Sequence, residues 1–193
     1  MNLKAAEASH VLEALSRGQP PPTRLAAAAL VGFEEPMARW TADLAEYVAV
    51  GGSLVRIISA PSGAGKTHLA RALQAKAAEL GFLVCQVDAQ AQDTDDDLAL
   101  YKAVCSGLRA PSAVLNDIDD AGLPGLLADV AIRMTGADAK RALTLARLPI
   151  PNLVPILSGL IEERRRGPLS AAPAVLTQLI SGQPYPGDRK SVV

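Results

Sequence analysis

Apolar positions recur at helical spacing along most of the chain. Between residues 3 and 17, Leu3, Ala6, His10, Leu12 and Leu15 fall loosely on one face, and Gly18 with Pro20, Pro21 and Pro22 stops the pattern. A short helix is expected from about Arg24. A second amphipathic run, Pro36 to Val50, aligns Met37, Trp40, Leu44, Tyr47 and Val48 and ends at Gly51 and Gly52. The pattern changes at Leu54, where the β-branched run Leu54 to Ala60 (LVRIISA) predicts a strand. Thr67 to Leu80 returns to helical spacing through Leu69, Leu73, Ala77 and Leu80, with Gly81 as its stop. Phe82 to Val87 (FLVCQV) then reads as a second strand ending at Asp88, which completes a strand, loop, helix, strand unit.

Beyond that unit the spacing stays helical. Thr94 with Asp97 three residues later makes a capping-box-like start for a helix carrying Leu98, Tyr101, Cys105 and Leu108. Further helices are expected near 122–134, 137–147, 153–165 and 173–181, divided by Pro149, Pro151, Pro168 and Gly182. Ala113 to Leu115 is the best later strand candidate, and it is short. The expected fold class is therefore α/β. A P-loop NTPase sheet, complete or not within this chain, is expected over residues 51–118; a helical segment, 1–50, precedes it and a mostly helical region, 119–193, follows.

The link between the first strand and its helix carries the chemistry. Ala60, Pro61, Ser62, Gly63, Ala64, Gly65, Lys66 and Thr67 (APSGAGKT) fit the Walker A pattern G-x-x-x-x-G-K-[ST] with alanine at its first position. Gly63 and Gly65 lack a Cβ, so the loop can take positive φ and turn its amides inward around phosphate oxygens. Lys66 supplies charge to the β- and γ-phosphates and Thr67 a hydroxyl for magnesium, and the helix that starts here adds its orphan amides and the positive end of its dipole. The expected ligand is ATP with Mg2+, with Lys66 and Thr67 in the reacting centre and His68 beside them. A chance glycine-rich turn is the plain alternative; a strand before the loop and an amphipathic helix after it argue against that.

Charge and composition narrow the class. A net charge of -1 from 19 basic and 20 acidic residues leaves no global field for nucleic acid or anionic lipid. Two cysteines, Cys85 and Cys105, and two histidines, His10 and His68, cannot build a disulfide framework or a His/Cys metal cage, which fits a reducing compartment. The N-terminus lacks the apolar core of a secretory signal, and no apolar run approaches the ~20 residues that span a bilayer, so a cytoplasmic protein without membrane contact is expected. The acidic run Asp93 to Asp97 reads as a solvated helix start rather than a metal cluster, and Arg164, Arg165 and Arg166 read as helix-end cations rather than an arginine finger or a DNA contact.

Two resemblances sharpen this reading. Gly65-Lys66-Thr67-His68-Leu69-Ala70 is similar to the loop–helix junction of AAA+ and STAND ATPases, and Val31-Gly32-Phe33-Glu34-Glu35 looks like the linker before their first strand. The resemblance implies that Val31, Gly32 and Phe33 wall the adenine; a helix cap with Phe33 in the core is the alternative. More closely, VLEALSRGQPP, GFEEPMARW, GKTHL and AAELGFLVCQVD together resemble the ATP-binding BrxD family of BREX phage-defence systems over about residues 8–115. That likeness implies an ATP-driven switch or motor in a defence complex, as a homo-oligomer or with a partner protein, with DNA reached through the complex. In that family the acidic Walker B segment would follow this stretch, and no hhhhDE occurs here, so hydrolysis is left open; Asp88 and Asp117 are the candidate carboxylates, with Asp88 the better one for magnesium. AAA+ sheets also place later strands between the first two; those strands are expected beyond Val193, the alternative being strands in the later half of this chain that its spacing does not reveal. Two other functions stay in view. SGAGKTHLARAL followed by a strand and Asp88 is similar to adenylyl-sulfate and nucleoside kinases, although their paired carboxylate is here Asp88, Ala89, Gln90. A non-hydrolysing nucleotide-binding interaction module is the other. A GTPase is disfavoured, because no [NT]KxD segment is present.

Overall fold

The computed structural model describes residues 3–88, 96–145 and 153–169. Their packing divides into two units, Met1–Val84 with Pro111–Asp119, and Cys85–Ala110 with Asp120–Val193.

The first unit is built around one helix. Helix α1 spans Ala5–Ser16, and its start is closed by Glu7, whose carboxylate accepts from the Lys4 amide at 3.1 Å. Its end is a glycine stop: Gly18 takes φ +68°, the Gly18 amide donates to Leu15 O at 3.0 Å and the Gln19 amide to Ala14 O at 2.9 Å. This pair of bonds satisfies the last carbonyls and fixes the direction in which Gln19 to Pro22 leave. Helix α2, Thr23–Ala26, runs into a 3-10 turn, Ala27–Ala29, and buries Leu25 and Ala26 almost completely. Helix α3, Glu34–Glu46, opens with two acidic residues that favour its dipole. It passes into a second 3-10 turn, Val48–Val50; at Gly52 a Cβ would stand 2.6 Å from the Tyr47 ring, so only glycine lets the ring lie there.

Helix α4, Lys66–Glu79, presents Leu69, Ala72, Ala75 and Ala78 inward. Three of these four are alanines, so neighbouring backbones come close, and α2 and the short helix α6, Pro111–Leu115, pack directly on α4. Ala26, Met37, Leu69 and Ala72 form one core cluster, flanked by Phe33, Trp40 and Leu73; Ala78, Val84 and Val114 form another.

The second unit contains α5, Asp97–Gly107, α7, Gly122–Arg133, α8, Gly136–Leu145, and α9, Leu153–Arg166. Leu127, Ala131, Ala139, Leu160 and Ile161 make its core. Asp96 caps α5, its carboxylate accepting from the Leu98 amide at 2.9 Å, two residues after the expected cap Thr94, which lies outside the described residues. The predicted helix at 173–181 also lies outside them.

The expected α/β sheet is not formed among the described residues. Among the described residues there is no strand or sheet beyond isolated bridge residues at Val84 and Arg109. Leu54 to Ala60 carries no strand pairing, with Val55 84% and Ile57 91% exposed, and Ala113 to Leu115, the other strand candidate, lies inside helix α6. The physical reason is locality. A helix pairs its own N–H and C=O groups, whereas a β-branched run states only a preference until a neighbour supplies the other half of the ladder. Among the described residues no helix is long and apolar enough to cross a membrane.

Candidate functional site

The glycine-rich loop leads into the N-terminus of α4. Gly65 caps that helix at φ +83°, ψ +14°, and its carbonyl accepts from the Leu69 amide at 2.9 Å. Gly63 takes φ +80°, and the Ala64 amide closes a turn onto Pro61 O at 3.3 Å. At both glycines a Cβ would have open space, so the requirement is conformational: an L side chain in the left-handed region costs about 1–2 kcal/mol. Lys66 folds back along the loop, Nζ donating to Ala60 O at 2.7 Å and Pro61 O at 2.8 Å. An ammonium has three N–H donors, so one is left for a ligand. Ser62, Lys66 and Thr67 are exposed. The first amides of α4 have no intrahelical partner, and with the dipole and the ammonium they make this end of the helix a place for an anion.

Behind the loop, α4 is fastened to the rest of the unit. His68 Nε2 lies 2.8 Å from Ala26 O, a contact that places the proton on Nε2 because a carbonyl only accepts. Arg71 Nη1 donates to Pro20 O at 2.8 Å and to Pro21 O at 3.0 Å. The segment that leaves α1 is therefore held against the helix that carries the loop.

A cavity of about 450 Å3 opens between them, within the size range of small-ligand sites. Ser62, Gly63, Gly65, Lys66, Thr67 and His68 supply one part of its lining; Leu15, Gly18, Gln19 and Pro20 supply the rest. Val31, Gly32 and Phe33, expected beside the adenine, do not line it. Val31 is 83% exposed, Gly32 takes φ +79° with its amide on Glu34 Oε1 at 3.1 Å, and Phe33 packs on the Ala26, Met37, Leu69 and Ala72 core. These are the marks of a helix entry with its aromatic residue in the core. Leu15, Gly18, Gln19 and Pro20 enter the sequence reading only as the end of a helix and as part of the family resemblance, with nothing in their spacing that points to the loop.

The remaining candidates separate. Asp88 belongs to the second unit and is exposed. Asp117 takes φ +51° after α6 and pairs with Arg24 Nε at 3.1 Å, while Arg24 Nη1 also holds Glu7 Oε1 at 2.9 Å. One guanidinium thus ties α1, α2 and the turn after α6. Arg164 Nη1 donates to Gly167 O at 3.3 Å and Arg166 pairs with Glu162 at 3.5 Å, both serving the end of α9. Asp93 lies outside the described residues, and among the described residues no group of three or more His, Cys, Asp or Glu side chains is arranged to hold a metal ion.

The family model described as BREX system ATP-binding protein BrxC/D matches residues 3–130, well over half of the chain. The matched span contains α1, both linings of the cavity and the whole of α4. Comparison with curated proteins and with solved structures gives no match.

Proposed function

Because the chain belongs to the family of BREX system ATP-binding proteins BrxC/D, we propose that Ala60 to Thr67 is the cradle for the ATP triphosphate. In this reading the amides of Gly63 to Thr67 surround the β-phosphate, the spare Lys66 donor reaches the β- and γ-oxygens, and Thr67 Oγ1 holds Mg2+. The observation that carries it is the pair of left-handed glycines at the N-terminus of α4, with Lys66 folded over the same loop above a cavity of ligand size. Asp117, engaged by Arg24, is assigned to the fold rather than to magnesium. Bound nucleotide acts as a switch: it adds contacts to a loop whose helix is fastened to α2 and to the segment after α1, and in a defence complex those elements alter how the protein meets its partner or a second copy.

Titration of the full chain with Mg-ATP is the test. Lys66→Ala removes a charge-assisted hydrogen bond and is expected to weaken binding about 10- to 100-fold, and Thr67→Ala to remove most of the dependence on magnesium. Unchanged affinity in Lys66→Ala would reject the cradle. Sedimentation with and without nucleotide tests the switch, which requires a change in assembly on adding ATP.

A further inference from the structure

The cavity is larger than a phosphate cradle needs, and its second lining differs in character from the first. Leu15, 45% exposed, and the Pro20 ring are apolar; Gln19 between them is exposed, and its carboxamide makes no hydrogen bond among the described residues. The backbone under Gln19 is nevertheless fixed from both sides. Its amide is held by Ala14 O at 2.9 Å in the α1 stop, and the two carbonyls that follow are held by Arg71 from α4 at 2.8 and 3.0 Å. A ligand with phosphates at Gly63 to Thr67 has room for its base along the same cavity, where Leu15, Gly18, Gln19 and Pro20 are the other lining.

We propose that the Leu15–Pro20 turn is the base subsite of the nucleotide site and that Gln19 is its specificity-determining residue, choosing adenine over guanine. The proposal rests on the triphosphate cradle at the loop. A carboxamide offers one donor and one acceptor side by side. Adenine presents the matching pair, N7 as acceptor and the N6 amino group as donor, whereas guanine presents two acceptors, N7 and O6. Leu15 and Pro20 supply apolar contact to the base, and the backbone bonds from Ala14 and Arg71 hold the carboxamide's origin in place before the ligand arrives, which lowers the ordering cost of binding.

The experiment measures binding of ATP, GTP and inorganic tripolyphosphate, each with magnesium, to the full chain and to Gln19→Ala, Gln19→Arg and Lys66→Ala. Gln19→Ala is expected to weaken ATP about tenfold and leave tripolyphosphate unchanged. Gln19→Arg is expected to move the preference towards GTP, because a guanidinium pairs with two acceptors. Lys66→Ala is expected to weaken all three ligands. If Gln19→Ala binds ATP as tightly as the parent chain, or loses ATP and tripolyphosphate alike, the base subsite is wrong while a Lys66 effect keeps the cradle. If Lys66→Ala changes none of the three, the cradle itself fails, and the base subsite with it.

Discussion

Helix α4 and the segment that leads into the loop sit next to each other in the chain and could hardly be held more differently. On α4, Leu69 is 2% exposed, three alanines bury their methyls, and His68 and Arg71 reach three backbone carbonyls of the segment before α3. Among Leu54 to Ile58, Val55 and Ile57 stand 84% and 91% exposed, and Arg56 is tied to Asp43 on α3. Both stretches are rich in apolar side chains. What separates them is whether the backbone can complete its hydrogen bonds locally, and α4 does so while offering a face of small residues to pack against.

That contrast predicts very unequal responses to the same kind of truncation. Leu69→Ala removes a fully packed side chain from the cluster with Ala26, Met37 and Ala72 and is expected to cost about 2–5 kcal/mol in denaturant unfolding. Ile57→Ala, also a loss of an aliphatic side chain, is expected to stay within about 0.5 kcal/mol. Comparable losses for the two would mean that Leu54 to Ile58 is covered in solution, and the comparison would break there.

Arg71→Ala comes next in size. It removes two hydrogen bonds from a charged donor to Pro20 O and Pro21 O, an expected cost of about 1–3 kcal/mol in stability. It also frees the segment that carries Gln19. Its ATP affinity is therefore expected to fall more than its tripolyphosphate affinity, the direction expected of Gln19→Ala, while Arg71→Lys should restore part of the stability. A stability loss with an unchanged ratio of the two affinities would make Arg71 a fastening of the fold alone.

The helices were legible in the sequence because their determinants are local. The Gly18 stop after α1 and the spacing of Met37 and Trp40 on α3 lie within a few residues of what they control, whereas α4 buries Leu69, Ala72, Ala75 and Ala78 rather than the expected Leu69, Leu73, Ala77 and Leu80. The glycines of the loop were legible for the same reason: φ +80° at Gly63 and +83° at Gly65 are single-residue demands. The strands were misjudged because Leu54 to Ala60 and Phe82 to Val87 advertise a propensity that only a distant neighbour can redeem. The far lining of the cavity was missed on similar grounds. Nothing local to Leu15, Gln19 or Pro20 points at Lys66; the link is Arg71, fifty-one residues from Pro20, and such a contact has no signature in spacing. Phe33 packs on the core beside Ala26 and Met37, because a motif fixes the order of residues while packing decides where an aromatic ring goes.

Asp117 gives a smaller and more discriminating test of what anchors the α4 unit. Its pair with Arg24 is about one-third exposed on each side, so Asp117→Asn, which keeps a side chain that tolerates the left-handed backbone, is expected to cost about 0–1 kcal/mol. Affinity for Mg-ATP is expected to be unchanged. A fall of tenfold or more without loss of stability would move Asp117 from the fold to the metal and reopen the search for the carboxylate that serves Thr67.

The last difference to exploit is pH. Glu7 is held below its ordinary value of 4.5, first by the Lys4 amide and then by the Arg24 guanidinium, the same guanidinium that reaches Asp117. A carboxylate with a depressed folded pKa adds stability that is complete above its unfolded value and disappears as the pH falls through the lower folded one. The stability difference between the parent chain and Glu7→Gln should therefore be level from pH 7 down to about 4.5 and shrink below it, as followed by urea unfolding in buffers of equal ionic strength. Ionic strength has to be matched, because an exposed pair is weakened by salt as well as by acid. A difference that stays level below pH 4 would show that Glu7 contributes through packing at the start of α1 and that Arg24 draws its hold on the unit from Asp117 alone.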